Sequence, residues 1–129
     1  MEVVMNWMKS LCPISDETIR ELEACLTPCH FPKRHLLVRE GVFCKYAYFI
    51  EKGMTRSYWL VDGEEFTTSF AYDGCIVFSM DELYYNEVSQ EFVETLEEVE
   101  AYRILITDLR RLWETNLELS NWGRIIHQN

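Results

Sequence analysis

The sequence is poor in positive charge. Against 22 Asp and Glu it sets only 12 Lys and Arg, for a formal net charge of −10 over 129 residues. A chain so acidic lacks the clustered cations that grip a phosphate backbone, which argues against nucleic-acid binding by this chain alone. No apolar run approaches the roughly 20 residues of a membrane helix, so no membrane partner is expected. The first ten residues, MEVVMNWMKS, carry Glu2 and no basic leader. No signal peptide is read there, and a cytoplasmic location is the expectation. Histidine is scarce: His30, His35 and His127 show no His-x-His pairing of the kind a metal site needs. Five cysteines, Cys12, Cys25, Cys29, Cys44 and Cys75, make an odd set that reads as reduced thiols. Cys25, Cys29 and His30 lack a second ligand pair for zinc. Cys12, Cys25 and Cys29 lack the spacing of a compact iron–sulfur motif. No nucleophile elbow, glycine-rich phosphate loop or HExxH occurs. Neither an enzyme nor a cofactor is expected.

What is present fits one globular domain, with 48% apolar and 26% charged residues. The charge is unevenly spread. Residues 31–60 hold six basic and two acidic residues, whereas 81–100 hold eight acidic and no basic ones. Such an acidic block is ordinarily a solvated face.

Val3 to Leu11 is short and apolar, enough for one or two helical turns, and Pro13 breaks it. Ser15 is an N-cap followed by Asp16 and Glu17, where the helix dipole favours acids. Ile14 and Ile19 are placed as a hydrophobic staple. Ile19, Leu22 and Leu26 share a face, so the pattern predicts a helix from Asp16 to Leu26, ended by Pro28. From Leu36 the texture is that of strands. Leu36 to Val38, Tyr46 to Ile50, Met54 to Val61, Glu65 to Ala71 and Ile76 to Phe78 are β-prone runs. Asp62-Gly63 and Asp73-Gly74 are turns between them. Ser79 to Gln90 lacks strand periodicity, and Met80, Leu83 and Tyr84 would share one face of a short helix. Phe92 to Glu100 and Tyr102 to Ile106 resume as strands. Thr107 and Asp108 can cap a helix carrying Leu109, Leu112 and Trp113. Asn116 interrupts it, and Ser120 can cap a last helix with Trp122, Ile125 and Ile126. That helix stops at Asn129 in mid-pattern; it either docks on the barrel or continues in a longer parent chain.

The fold class expected is mainly β with flanking α: an antiparallel jelly-roll or β-roll with N-terminal helices and a C-terminal helix. It forms one domain over 1–129, helical over 1–28, β-roll over 29–106 and helical over 107–129, with no helix-turn-helix. A jelly roll also raises cupin-like metal enzymes, against which the histidine pattern speaks.

Two stretches carry a family likeness. In HLLVREGVFCKYAYFIEKGMTRSYW a strand ends in Glu40-Gly41, an aromatic strand with Tyr48, Phe49 and Ile50 reaches a turn at Gly53, and Arg56 follows in the next strand. LEEVEAYRILITDLRRLWETNLEL leads from a last strand into a helix. From Ile14 onward the chain resembles the cyclic-nucleotide-binding sensor domain of Crp/Fnr-type bacterial transcription regulators. The resemblance implies a homodimer through the C-terminal helical region, here Trp113, Trp122, Ile125 and Ile126. It implies that DNA is met only through a helix-turn-helix absent from this chain.

In that family a Gly-Glu-Leu opens a short helix and its Glu receives a ribose hydroxyl. An Arg followed by a small residue then pairs with the cyclic phosphate. Here Asp81-Glu82-Leu83 loosely matches the first motif, and Ser89-Gln90-Glu91 stands at the second. Arg56 is the one cation between Lys52 and Arg103. A phosphate without its cation loses a charge-assisted bond of roughly 1.5–3 kcal/mol, and Glu87 and Glu91 would repel it. The expectation is a sensor domain that is not a strong cAMP or cGMP binder. The stretch either takes a different small-molecule effector, neutral or cationic, through Ser79, Glu82, Tyr84, Ser89 and Gln90, or takes none and leaves a dimerisation platform. Degenerate nucleotide binding is the third reading.

Overall fold

The computed structural model describes residues 2–128, with side chains other than those at positions 80 and 126–128. Helix α1 (Glu2–Leu11) comes first, and its apolar stripe Val4, Met5 and Met8 is buried. Helix α2 (Asp16–Glu23) starts at Ser15, whose hydroxyl accepts from the Thr18 N–H. Strands β1 (Thr27–Phe31), β2 (Leu36–Val38), β3 (Tyr46–Lys52), β4 (Thr55–Val61), β5 (Glu64–Ala71) and β6 (Ile76–Val77) follow. Helix α3 (Met80–Tyr85) interrupts the strands before β7 (Phe92–Thr95) and β8 (Val99–Leu105). Helices α4 (Ile106–Thr115) and α5 (Leu117–Gln128) complete the order.

Two antiparallel four-stranded sheets form the roll, in the orders β1-β8-β3-β6 and β2-β7-β4-β5. The anticipated β-roll with flanking helices is the architecture found. Between the sheets lie Leu37, Val38, Ile50, Val77, Val93 and Val99. A second core joins the first sheet to the helices. Trp122 is wholly buried there, stacked on Phe49 with ring centroids 5.9 Å apart and meeting Trp7 edge-on at 6.0 Å.

Several boundaries differ from those the pattern predicted, each for a physical reason. Helix α2 ends at Glu23, not Leu26, because Cys25 and Leu26 donate to Leu22 and Glu23 carbonyls in a tight terminal turn. Pro28 lies inside β1 rather than ending a helix; β1 is an edge strand, where a missing N–H is tolerated. The roll therefore opens at Thr27. The run 92–100, read as one strand, is split. β7 belongs to one sheet and β8 to the other, joined by a turn where Leu96 donates to the Met54 carbonyl. That crossing passes against Gly53 (φ +122), where a Cβ would come within 2.8 Å of the Glu98 carbonyl oxygen. Ile106 begins α4 instead of closing a strand, and neither Thr107 nor Asp108 caps it: Leu105 is the N-cap residue and makes no side-chain bond. Asn116, expected as an interruption, also starts α5, its side-chain oxygen accepting from Leu119 N–H; Ser120 lies within the helix.

The N-terminal and C-terminal helices are tied by polar contacts. Glu118 accepts from the Ser15 and Thr18 hydroxyls at 2.7 and 2.6 Å, and the Asn116 amide donates to Glu21 at 2.6 Å. The β4–β5 hairpin leaves Trp59, Leu60, Val61, Phe66 and Phe70 exposed, so its alternation does not divide core from solvent.

Candidate functional site: a cassette anchored on one flank and open on the other

The segment 78–91 joins β6 to β7 through α3. Ser79 is buried and caps α3, its hydroxyl accepting from the Glu82 N–H. Asn86 ends the helix in the left-handed region (φ 54), a conformation Asn tolerates. Glu82 is 2% exposed. Its carboxylate accepts from the backbone N–H groups of Cys44 and Lys45 at 2.7 and 3.0 Å, fixing the loop between β2 and β3. Behind the helix, the Arg110 guanidinium donates to the carbonyls of Leu83 (2.9 Å) and Glu82. Tyr84 stacks on Trp113 at 5.7 Å and donates to the Gly123 carbonyl. Burial pushes its phenol up to about 12. Gly123 admits that aromatic pair, since a Cβ there would meet the Trp113 ring at 2.6 Å. Helix α3 is thus fixed to the β2–β3 loop on one side and to α4 and α5 on the other.

The second half of the segment is differently placed. Ser89 is buried in its own turn: its hydroxyl donates to the Glu91 carbonyl and accepts from the Glu91 N–H. Gln90 is exposed, and its backbone donates to Asp81. Glu91 is half-buried and accepts from the Thr68 hydroxyl at 2.9 Å.

The five residues expected to line one pocket therefore do not converge. Ser79 and Glu82 hold backbone, Tyr84 faces the terminal helices, Ser89 closes a turn and Gln90 points to solvent. Next to the segment lies instead a cavity of about 410 Å³, walled by β4, β5, β6 and α1. Ser57, Ser69, Phe70, Phe78 and Glu91 line it, together with Trp7 and Leu11. Reading the sequence missed α1 in this wall. The one available cue was a Trp in an otherwise aliphatic N-terminal stripe. Gly74 lets α1 approach, for at φ +92 it has no Cβ, and one would meet Trp7 Cβ at 2.9 Å. A second cavity, of about 540 Å³, opens behind α3 between Phe43, Lys45, Leu105 and Arg110.

No Lys or Arg lines the first cavity. Arg56, the one cation between Lys52 and Arg103, is engaged elsewhere. It bonds Glu65 at 2.7 Å, approaches Glu94 at 3.6 Å and lies over the Tyr58 ring. Among the described residues no group of three or more His, Cys, Asp or Glu is placed to hold a metal. No helix among them is long and apolar enough to cross a membrane.

Of the residues assigned to a dimer helix, Trp113 and Trp122 pack within their own chain and Ile125 is half-buried. The Ile126 side chain lies outside the described residues.

A two-sheet antiparallel roll with one helix set into its strand order and trailing helices behind it defines the class of fold, a β-roll with flanking helices. The chain belongs to the cyclic nucleotide-binding domain family, whose match spans residues 28–116. Among solved structures, the catabolite activator protein of Thermus thermophilus is similar at 13% identity and a TM-score of 0.80, over 95% of this chain and 56% of that one. The regulatory subunit of a cAMP-independent protein kinase A from Trypanosoma brucei is similar at 16% identity and a TM-score of 0.80, over 99% and 46%. A Crp/Fnr-family transcriptional regulator from Eubacterium rectale matches at 15% identity and a TM-score of 0.74, over 86% and 52%. The chain spans about half the length of these structures, and at such identities the likeness is one of fold. No curated protein matches.

Proposed function

We propose that the chain is the effector-sensing, dimerising domain of a Crp/Fnr-type transcription regulator, cytoplasmic and non-catalytic, with little affinity for cAMP or cGMP. The observation that carries this reading is the absence of a cation where a cyclic phosphate would lie. Ser89, Gln90 and Glu91 stand where the resemblance sets the family's Arg, and no Lys or Arg lines the adjoining cavity. The adjoining cavity has Glu91 as its one charged wall residue. Glu82, the nearest match to a ribose-binding glutamate, is saturated by two backbone N–H groups. An anionic ligand would face repulsion with no charge-assisted bond to offset it. One structural relative is, by its own description, the regulatory subunit of a cAMP-independent protein kinase A.

Isothermal titration tests the proposal. Neither cAMP nor cGMP should release heat at high micromolar concentration; saturable binding of either overturns it. Dimerisation through the helical region from Trp113 onward belongs to the same reading, with the half-buried Ile125 as a candidate apolar contact. Light scattering of the chain at high concentration should give twice the monomer mass.

A further inference from the structure

The 410 Å³ cavity has a polarity opposite to that of a phosphate site. Its walls are largely aromatic and aliphatic, with Trp7, Leu11, Phe70, Ile76, Val77 and Phe78 among them. Ser57 and Ser69 contribute hydroxyls, and Glu91 is the one carboxylate. One Glu91 oxygen accepts from Thr68, and no ion pair engages the carboxylate among the described residues. Its size falls within the roughly 300–1,000 Å³ of small-molecule pockets. A protonated amine placed there gains a charge-assisted bond to Glu91, and its apolar body gains burial against the aromatic wall. A carboxylate or phosphate meets repulsion in a chain of net charge −10.

We infer that this cavity takes a small amphiphilic amine, its apolar body against α1 and Phe78 and its ammonium on Glu91. The inference rests on the preceding reading of the domain as effector-sensing, and it assigns that role to this cavity and names a ligand class for it. Helix α1 is part of the site. Its first turn is held where Glu51 accepts from the Val3 and Val4 N–H groups, both at 3.1 Å. Trp7 then touches the cavity on one side and Trp122 of α5 on the other. An occupant that presses on Trp7 is felt at the terminal helix through a single ring contact.

Three probes of one shape and different charge test this: phenethylamine, 2-phenylethanol and 3-phenylpropionate, titrated into the full chain and followed by calorimetry and tryptophan emission. The amine should bind most tightly and the acid least, with the emission change tracking occupancy. Glu91→Gln should weaken the amine about tenfold, the loss of one charge-assisted bond, and leave the alcohol within about twofold. The inference fails if the acid binds as well as the amine, if Glu91→Gln leaves the amine unchanged, or if no probe binds at millimolar concentration. A parallel cAMP titration separates the failures. Saturable cAMP uptake overturns the reading of the domain as one without a phosphate site. Silence toward cAMP and all three probes overturns the amine assignment alone.

Discussion

Glu82 and Glu91 belong to the same short segment and carry the same chemistry, yet they have opposite situations. Glu82 is buried, with both oxygens on backbone N–H groups, and it holds a loop from another part of the chain. Glu91 reaches the cavity and bonds one exposed hydroxyl. The anchored flank of α3 continues into Arg110, Tyr84 and Trp113. The open flank ends in Ser89 and Gln90, which satisfy only local turn geometry. Two carboxylates of one segment are thus used differently: Glu82 holds a loop of the scaffold, and Glu91 lines the 410 Å³ cavity with one oxygen on a hydroxyl.

If this contrast is right, substitutions on the anchored side damage stability and those on the open side do not. The largest effect is expected at Trp122, the wholly buried ring on which the helical side packs. Trp122→Ala should destabilise by about 4 kcal/mol in urea unfolding, from lost burial and the void left behind. Next comes Glu82→Ala, which strands two N–H groups and should cost about 3 kcal/mol. Glu82→Gln, retaining one acceptor oxygen, should cost about half as much by the same measurement. A cost below about 0.5 kcal/mol for Glu82→Ala would erase the distinction between the two glutamates.

A pH-dependent effect should follow at the junction of α2 and α5. Hydrogen bonds from the Thr18 and Ser15 hydroxyls hold the Glu118 carboxyl below the usual carboxylate range. A lowered folded-state value means the junction contributes fully above the unfolded carboxylate pKa, about 4.3, and fades as pH falls toward the lowered value. Melting temperatures between pH 6 and pH 3 should therefore fall less steeply for Glu118→Gln than for the wild type. Equal slopes would mean that the carboxylate is not differently held in the folded state. The smallest stability effect is expected for Glu91→Gln, within about 0.5 kcal/mol of wild type, since its hydroxyl partner is exposed.

Much of the fold was legible from residue order. Ser15 as a cap, the Asp62-Gly63 and Asp73-Gly74 turns and the short helix after Ser79 are decided by neighbours a few residues away. Their φ preferences and capping bonds act locally, so a pattern displays them. The 92–100 run misled because strand propensity does not encode a change of sheet; that change depends on Gly53 letting two backbones meet. Similarly, Pro28 reads as a breaker until its strand is seen to be an edge.

The sequence by itself determined the class of fold, the acidic surface and the missing cation between Gly53 and Tyr102 other than Arg56, because composition and short-range chemistry carry these. Only the tertiary structure decided which glutamate was available. Their hydrogen-bond partners, in the β2–β3 loop for Glu82 and in β5 for Glu91, are brought to them by packing. The same holds for α1, placed at the cavity because Gly74 leaves room for Trp7. Long-range burial set these contacts, and the identity of the nearest neighbours in the chain could not.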